Sequence, residues 1–222
     1  MFDHQHPYPP FLFEHATRWI VGTLPPPRFT QGILRPGDVD FCYGSRDGQL
    51  WPILDRIYGL NLSFETTPAA VEERKAFLRK EKIGICDMVA RADRKKIDAS
   101  DQGMQNIRLR DLVGLLQRYT RVQRLLFTGG NSKNGPEYLF RRHLRDYGIR
   151  LERVSDTIPR IHRFRMPSDT GQGRLITTVS LTAPSGSANR AIGGLPEYKT
   201  RKAKDPNYTV MDFRVEQYRS FF

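Results

Sequence analysis

Cysteine is scarce in this sequence: Cys42 and Cys86 are the only two. Two thiols cannot form a metal cluster alone, and they read as small, reduced, buried apolar residues. Long hydrophobic runs are also missing. No stretch approaches the roughly 20 apolar residues that a membrane span needs. The opening "MFDHQHPYPPFLFEHATRW" has no basic region leading into an apolar one, so a cytoplasmic protein without a secretory signal is expected. No C-x-x-C pair, H-E-x-x-H or G-x-x-x-x-G-K-[ST] occurs, so zinc hydrolysis and P-loop chemistry lack a framework. "GTLPPP" lacks the second and third glycines of a dinucleotide fingerprint. The five histidines are scattered, and His143 reads as structural rather than as a general base. No metal or cofactor is expected.

Acidic residues are outnumbered. There are 24 Asp+Glu against 36 Lys+Arg, a formal net charge of +12. A field of that sign concentrates polyanions at the surface. Arg141, Arg142, Arg145, Arg150, Arg153, Arg160, Arg163 and Arg165 crowd one third of the chain. A second group, Arg190, Lys199, Arg201, Lys202 and Lys204, has only Glu197 opposing it. The arginine-rich character of the first group suits phosphate contacts, which favours nucleic acid over a merely soluble basic surface.

What is present is an alternation of strand-like and helix-like segments. "TRWIVGT" (Thr17–Thr23) reads as a buried strand closed by Gly22 and three prolines. Leu50, Ile53, Leu54 and Ile57 recur at helical spacing, with Pro52 in the first turn. Thr67 and Pro68 start a charged helix that runs to about Lys80. "KIGICDMVA" is apolar without a clear period, and Arg91–Arg108 reads as a long polar loop. "DLVGLLQRY" and "GPEYLFRRHLRDYG" read as helices, the latter with Phe140, Leu144 and Tyr147 facing inward. "VQRLLFTGG", "IPRIHRFRMP" and "RLITTVSLTAP" read as strands, and "YTVMDFRVEQYRSFF" as a terminal helix. The pattern predicts an α/β fold, a three-layer α/β/α sandwich around a mostly parallel central sheet. One domain over 1–222 is expected, with 1–16 as an N-terminal extension and 195–222 as a basic segment and C-terminal helix. In such sheets ligands lie beyond the carboxyl ends of the strands. Gly22–Pro27, Gly129–Gly135 and Ala183–Gly194 are the loops placed there.

Three stretches carry a resemblance. "WIVGTLPPP" looks like a strand ending in Gly-x-x-Pro. "YGSRDGQLW" looks like a Tyr-Gly-His-Pro-x-Asn-x-Phe-Trp element, and "APSGSANR" like a Pro-Ser-x-Ser-x-Asn loop. In this order they resemble the motifs of the uracil-DNA glycosylase superfamily, nearest its hypoxanthine-DNA glycosylase-like and mismatch-specific branches. "GICDMVARADRKKIDASDQGMQNIRLRDL" and "LFTGGNSKNGPEYLFRRH" resemble the middle segment and central strand of the hypoxanthine branch. The similarity runs over about residues 17–192. The departures are specific. Leu24 stands where other branches carry a catalytic Asn or Asp, Ser45–Arg46 stands for His-Pro, and Gly48 and Thr128 each replace an Asn.

The resemblance implies a monofunctional DNA glycosylase without a cofactor. It would act as a monomer on a deaminated or damaged base, of the uracil or hypoxanthine type, flipped out of DNA. It assigns water positioning to Asn106, with Asp101 nearby. It assigns base contacts to Thr23, Leu24, Tyr43, Ser45 and Thr128, with Tyr43 stacking on the base. DNA contacts fall to Ser185, Gly186, Ser187 and Asn189, while Arg190, Arg201 and Lys202 supply phosphate partners on charge. From the residues alone the plainer readings stay open. Tyr43 reads equally as a core aromatic, Asn106 as a helix cap, and Asp98 and Asp101 as turn residues. Two other functions remain in view: a catalytically silent DNA-binding protein with the same fold, and a hydrolase of small nucleotides or nucleosides.

Overall fold

The computed structural model describes residues 1–167 and 173–222. Six strands form one sheet: β2 (Arg18–Val21), β3 (Ile83–Ile85), β6 (Arg124–Phe127), β7 (Glu152–Ser155), β8 (Arg160–Met166) and β9 (Arg174–Ser180). A smaller sheet holds β1 (Phe2–Gln5), β4 (Val89–Arg94) and β5 (Met104–Leu109) in the order β1-β4-β5. The large sheet runs β3-β2-β6-β9-β8-β7. Its first four strands are parallel, while β8 runs antiparallel to both of its neighbours, β9 and β7. The sheet is therefore mixed, and less parallel than the alternation suggests. The cause is connection length. Parallel neighbours need a crossover of about a dozen residues or more, whereas residues 167–173 alone separate β8 from β9 and 156–159 separate β7 from β8.

Alternation along the strands sends neighbouring side chains to opposite faces. Trp19, Val21, Leu125 and Phe127 pack with α4 (Leu112–Arg118) and α5 (Pro136–Arg145). Ile20, Leu126 and Val179 pack on the other side with α2 (Leu50–Tyr58), α3 (Pro68–Lys80) and α8 (Val210–Arg219). The sheet thus carries apolar cores on both faces. Local signals account for the helix starts. The Thr67 hydroxyl accepts from the Ala70 N–H, and Thr209 and Asp212 form a reciprocal capping box. Among the described residues no helix is long and apolar enough to cross a membrane.

Several expectations need correction. Arg91–Arg108 is a hairpin rather than a loop, because β4 pairs β5 and β1 pairs β4. Its charged alternation conceals the strand: Arg94 faces inward and donates to His4 Nδ1 at 2.7 Å and to the Ser100 carbonyl at 2.6 Å. Burial, with the adjacent Arg94 charge, brings the His4 pKa down to about 4, so that ring is a neutral acceptor. Within residues 1–16, Phe2–Gln5 forms a strand of the small sheet. Tyr147 is exposed, since α5 ends at Arg145 and its hydroxyl donates to Asp111 instead. The Ala183–Gly194 loop contains a 3₁₀ turn, Gly186–Ala188, and a short helix α6 (Asn189–Gly193) that carries Arg190, after which α7 (Pro196–Lys204) carries the rest of the second basic group.

Candidate active site

The site begins where β2 ends. The Gly22 N–H donates to Asp87 Oδ1 at 2.9 Å. A side chain at Gly22 would stand 2.2 Å from the Tyr43 hydroxyl and 2.8 Å from Asp87, so only glycine allows this approach. Asp87 follows β3 and gathers two more donors: the Tyr43 hydroxyl at 3.1 Å and His6 Nε2 at 2.9 Å. The His6 tautomer follows from its other nitrogen. Nδ1 accepts from the Tyr8 N–H at 3.1 Å, so the proton sits on Nε2, facing the carboxylate. Burial opposes the Asp87 charge, but the bonds from His6 and Tyr43, with Arg110 nearby, outweigh it and hold the carboxyl below its ordinary range.

Tyr43 is held hard. Its φ of 58° is a left-handed conformation rare for a bulky residue. Its hydroxyl meets Thr128 Oγ1 at 3.1 Å as well as Asp87, and its ring packs partly against the α2–α3 face of the core. Burial pushes the phenol far above its ordinary pKa, which keeps it a neutral donor.

A second carboxylate arrives from the small sheet. Asp101 opens a 3₁₀ turn, Asp101–Gly103, and its Oδ1 accepts from the Thr23 hydroxyl at 2.7 Å. The turn is anchored by buried Asn134, whose Nδ2 donates to the carbonyls of Asp101 and Met104 at 3.0 and 3.1 Å. Burial pushes the Asp101 carboxyl up to about 6; Thr23 and Arg94 resist that rise and Asp87 adds to it. Two neighbouring carboxylates therefore differ: Asp87 is clamped in its charged form, whereas Asp101 is poised to exchange a proton near neutrality.

Asp101 and Thr128 both line a cavity of about 390 Å³ at the carboxyl ends of β6 and β9, bounded by Gly129, Pro136, Ser180 and Ala188. Below its wall, buried Glu137 accepts from Ser180 at 2.6 Å and from Arg160 and Arg141 at 2.8 and 2.9 Å. The Ser185–Arg190 loop contributes Ala188 to the same cavity. It docks on the loop before α2 through a Gly48–Ser185 bridge and a Gln49 N–H to Pro184 carbonyl bond of 2.9 Å. Arg214, fully buried on α8, props it from below by donating to the Gln49 side chain, to Asn189 Oδ1 at 2.8 Å and to the Ser185 carbonyl at 2.9 Å. Gly186, Ser187 and Arg190 remain exposed.

The residues singled out from sequence divide clearly. Thr23, Tyr43, Asp101 and Thr128 come together. Leu24 packs against the core on the α4–α5 face. Ser45 is occupied elsewhere, accepting from Arg28 at 2.8 Å beside the Arg28–Asp38 pair. Asn106 does not line the cavity: it is exposed on β5, with φ 47°, and donates to Asp93 of β4 at 2.8 Å. It does not cap α4 either, since Asp111 does. Arg201 pairs with Glu216, and the Lys202 ammonium donates to the Pro206 carbonyl, so both are engaged within the C-terminal helices. Asp87, His6, Asn134 and Arg214 were not foreseen. Only Asp87 had a signal in the sequence, as the acid in "GICD".

No family model and no curated protein matches the chain. One solved structure is similar over nearly its whole length. It is the solution structure of a protein from Methanosarcina acetivorans named as a "putative Uracil DNA glycosylase", with 16% identity and a TM-score of 0.53. The match covers 97% of this chain and 99% of that one, and at this identity it shows a shared fold.

Proposed function

We propose that the chain is a monofunctional DNA glycosylase that hydrolyses the N-glycosidic bond of a deaminated or damaged base, of the uracil or hypoxanthine type, extruded from DNA. The observation that carries the reading is Asp101: a carboxylate with a pKa near 6, hydrogen-bonded to Thr23, on the wall of a base-sized cavity at the strand ends. In this mechanism ionised Asp101 holds a water beneath the sugar and takes its proton as the oxygen bonds to the anomeric carbon. The bonding pair of the broken C–N bond leaves with the base. Asp87 stays charged and positions the end of β2 and Tyr43. The role that the resemblance gives to Asn106 passes to Asp101, because Asn106 faces solvent.

Extrusion costs a few kcal/mol. The Ser185–Arg190 loop, braced by Arg214, is the element suited to press on the strand and offset that cost, with Arg190 against a phosphate. The apolar cores on both sheet faces support the three-layer reading, and the proposal takes the chain as a single domain acting as a monomer. The test is release of free base from oligonucleotides containing uracil, hypoxanthine, xanthine or alkylated bases, followed by chromatography. Release that is lost in Asp101→Asn and kept in Asn106→Ala supports the proposal. DNA binding without release of any base would leave a silent binder with the same fold.

A further inference from the structure

The edge of the large sheet opposite the Asp101 cavity, where β2, β6 and β9 begin, carries a hollow of about 510 Å³. Arg18, Arg124 and Arg174 line it, with Thr17, Gln123 and Thr177. Arg18 and Arg124 are in register on neighbouring parallel strands, and Thr177 continues the row on β9. Their side chains leave the same sheet face, one strand spacing of about 4.8 Å apart. Like charges side by side on adjacent strands repel. Among the described residues, none of these three guanidinium groups pairs with a carboxylate, whereas Arg28, Arg141 and Arg160 each do.

Two of the three cations are nonetheless held in place. Arg174 donates to the carbonyls of Leu116 and Tyr119 at 2.6 and 3.0 Å, and Arg124 to that of Phe221 at 3.1 Å. The rim is locked by its own backbone: Gln123 N–H to the Thr17 carbonyl at 2.8 Å, and Thr177 N–H to the Gln123 carbonyl at 2.9 Å. Arg18 Nε is buried without a partner. Positive charge has thus been gathered and fixed, with donors left over.

We propose that this hollow binds a phosphate group. Planar guanidinium forks match phosphate oxygens two at a time, and threonine hydroxyls and a glutamine amide complete a donor-rich wall. The hollow exceeds a lone phosphate, so the ligand brings a second phosphate or an organic remainder. Two sources share this chemistry, a free phosphate compound and the backbone of a nucleic acid. The site shares no residue with the Asp101 cavity, so its fate is independent of the glycosylase reading.

The experiment is calorimetric titration of the whole chain with inorganic pyrophosphate and, separately, with a short lesion-free oligonucleotide at fixed ionic strength. Wild type is compared with Arg124→Gln and Arg18→Gln. Pyrophosphate binding that weakens about tenfold or more in both variants, with oligonucleotide affinity unchanged, supports a free phosphate ligand. Oligonucleotide binding that weakens in both variants, with a salt slope lowered by about one, supports a backbone phosphate. Arg124→Lys keeps the charge and loses the fork. It is expected to fall between wild type and Arg124→Gln, and it serves if the glutamine variant does not fold. Equal binding by wild type and all variants, or no binding of either probe, overturns the proposal. Base release by Arg124→Gln at saturating lesion DNA is expected to match wild type.

Discussion

The two edges of the large sheet are chemical opposites. At the carboxyl ends of the parallel strands stand Asp87, Asp101 and the glycine-rich loops; at the amino ends stand Arg18, Arg124 and Arg174. The acids sit in a protein of net charge +12, on the edge that the proposed function turns toward an anionic strand. Two carboxylates kept there against the overall field serve something other than attraction. The Asp87 charge is held by hydrogen bonds from His6, the Gly22 N–H and the Tyr43 hydroxyl, whereas Asp101 receives one hydroxyl and little else. The difference separates a carboxylate that builds the site from one that can react in it.

Substitutions can break that contrast or sharpen it. Asp101→Asn is expected to have the largest effect, lowering base release by about 10²- to 10⁴-fold. Wild-type release should rise with pH through about 6 as Asp101 ionises, and the residual activity of the variant should lack that limb. A pH–rate profile in both proteins checks this, and an unchanged limb would break the contrast. Asp87→Ala comes next. It strands the Gly22 N–H and the Tyr43 hydroxyl, and a loss of about 2–4 kcal/mol is expected in denaturant melts. Tyr43→Phe removes only the hydroxyl bonds and should cost about 1 kcal/mol. Asn106→Ala gives up the Asp93 bond and puts alanine at a φ of 47°, so it should cost about 1 kcal/mol of stability yet release base normally.

Stability against pH offers one more contrast. The native state holds the Asp101 proton more tightly than the unfolded chain does. That group therefore favours folding below its unfolded pKa, near 4, and the advantage is lost as pH rises to about 6. Asp38 runs the other way. It is buried, yet Arg28 and the N–H groups of Arg46 and Arg35 bring it down to about 2. Its contribution is present above pH 4 and is lost as pH falls towards 2. Melts of Asp101→Asn and Asp38→Asn across pH 2–7 should diverge in these opposite windows.

Much of the fold was legible because its signals are local. Leu50 to Ile57 keep a helical spacing, Thr67 caps its helix, and the β2, β6 and β9 runs are apolar and short. The β4–β5 hairpin was not legible, because an inward arginine paired with a buried histidine breaks the apolar alternation on which strand recognition depends. At the site, Tyr43, Thr23, Thr128 and Asp101 were reachable through the motif order. The partners of Asp87 were hidden by distance along the chain, since His6 lies 81 residues away and Gly22 lies 65. Arg201 and Lys202 were chosen for charge alone, and no composition argument reveals that Glu216 and the Pro206 carbonyl already hold them.

The short strand Phe2–Gln5 has a consequence at the bench. It pairs with β4 and delivers His6 to Asp87, so the amino terminus of this chain is working material for the site. Trimming the first ten residues removes this strand and His6, and so perturbs the carboxylate that fixes the end of β2. A carboxyl-terminal tag leaves that strand untouched.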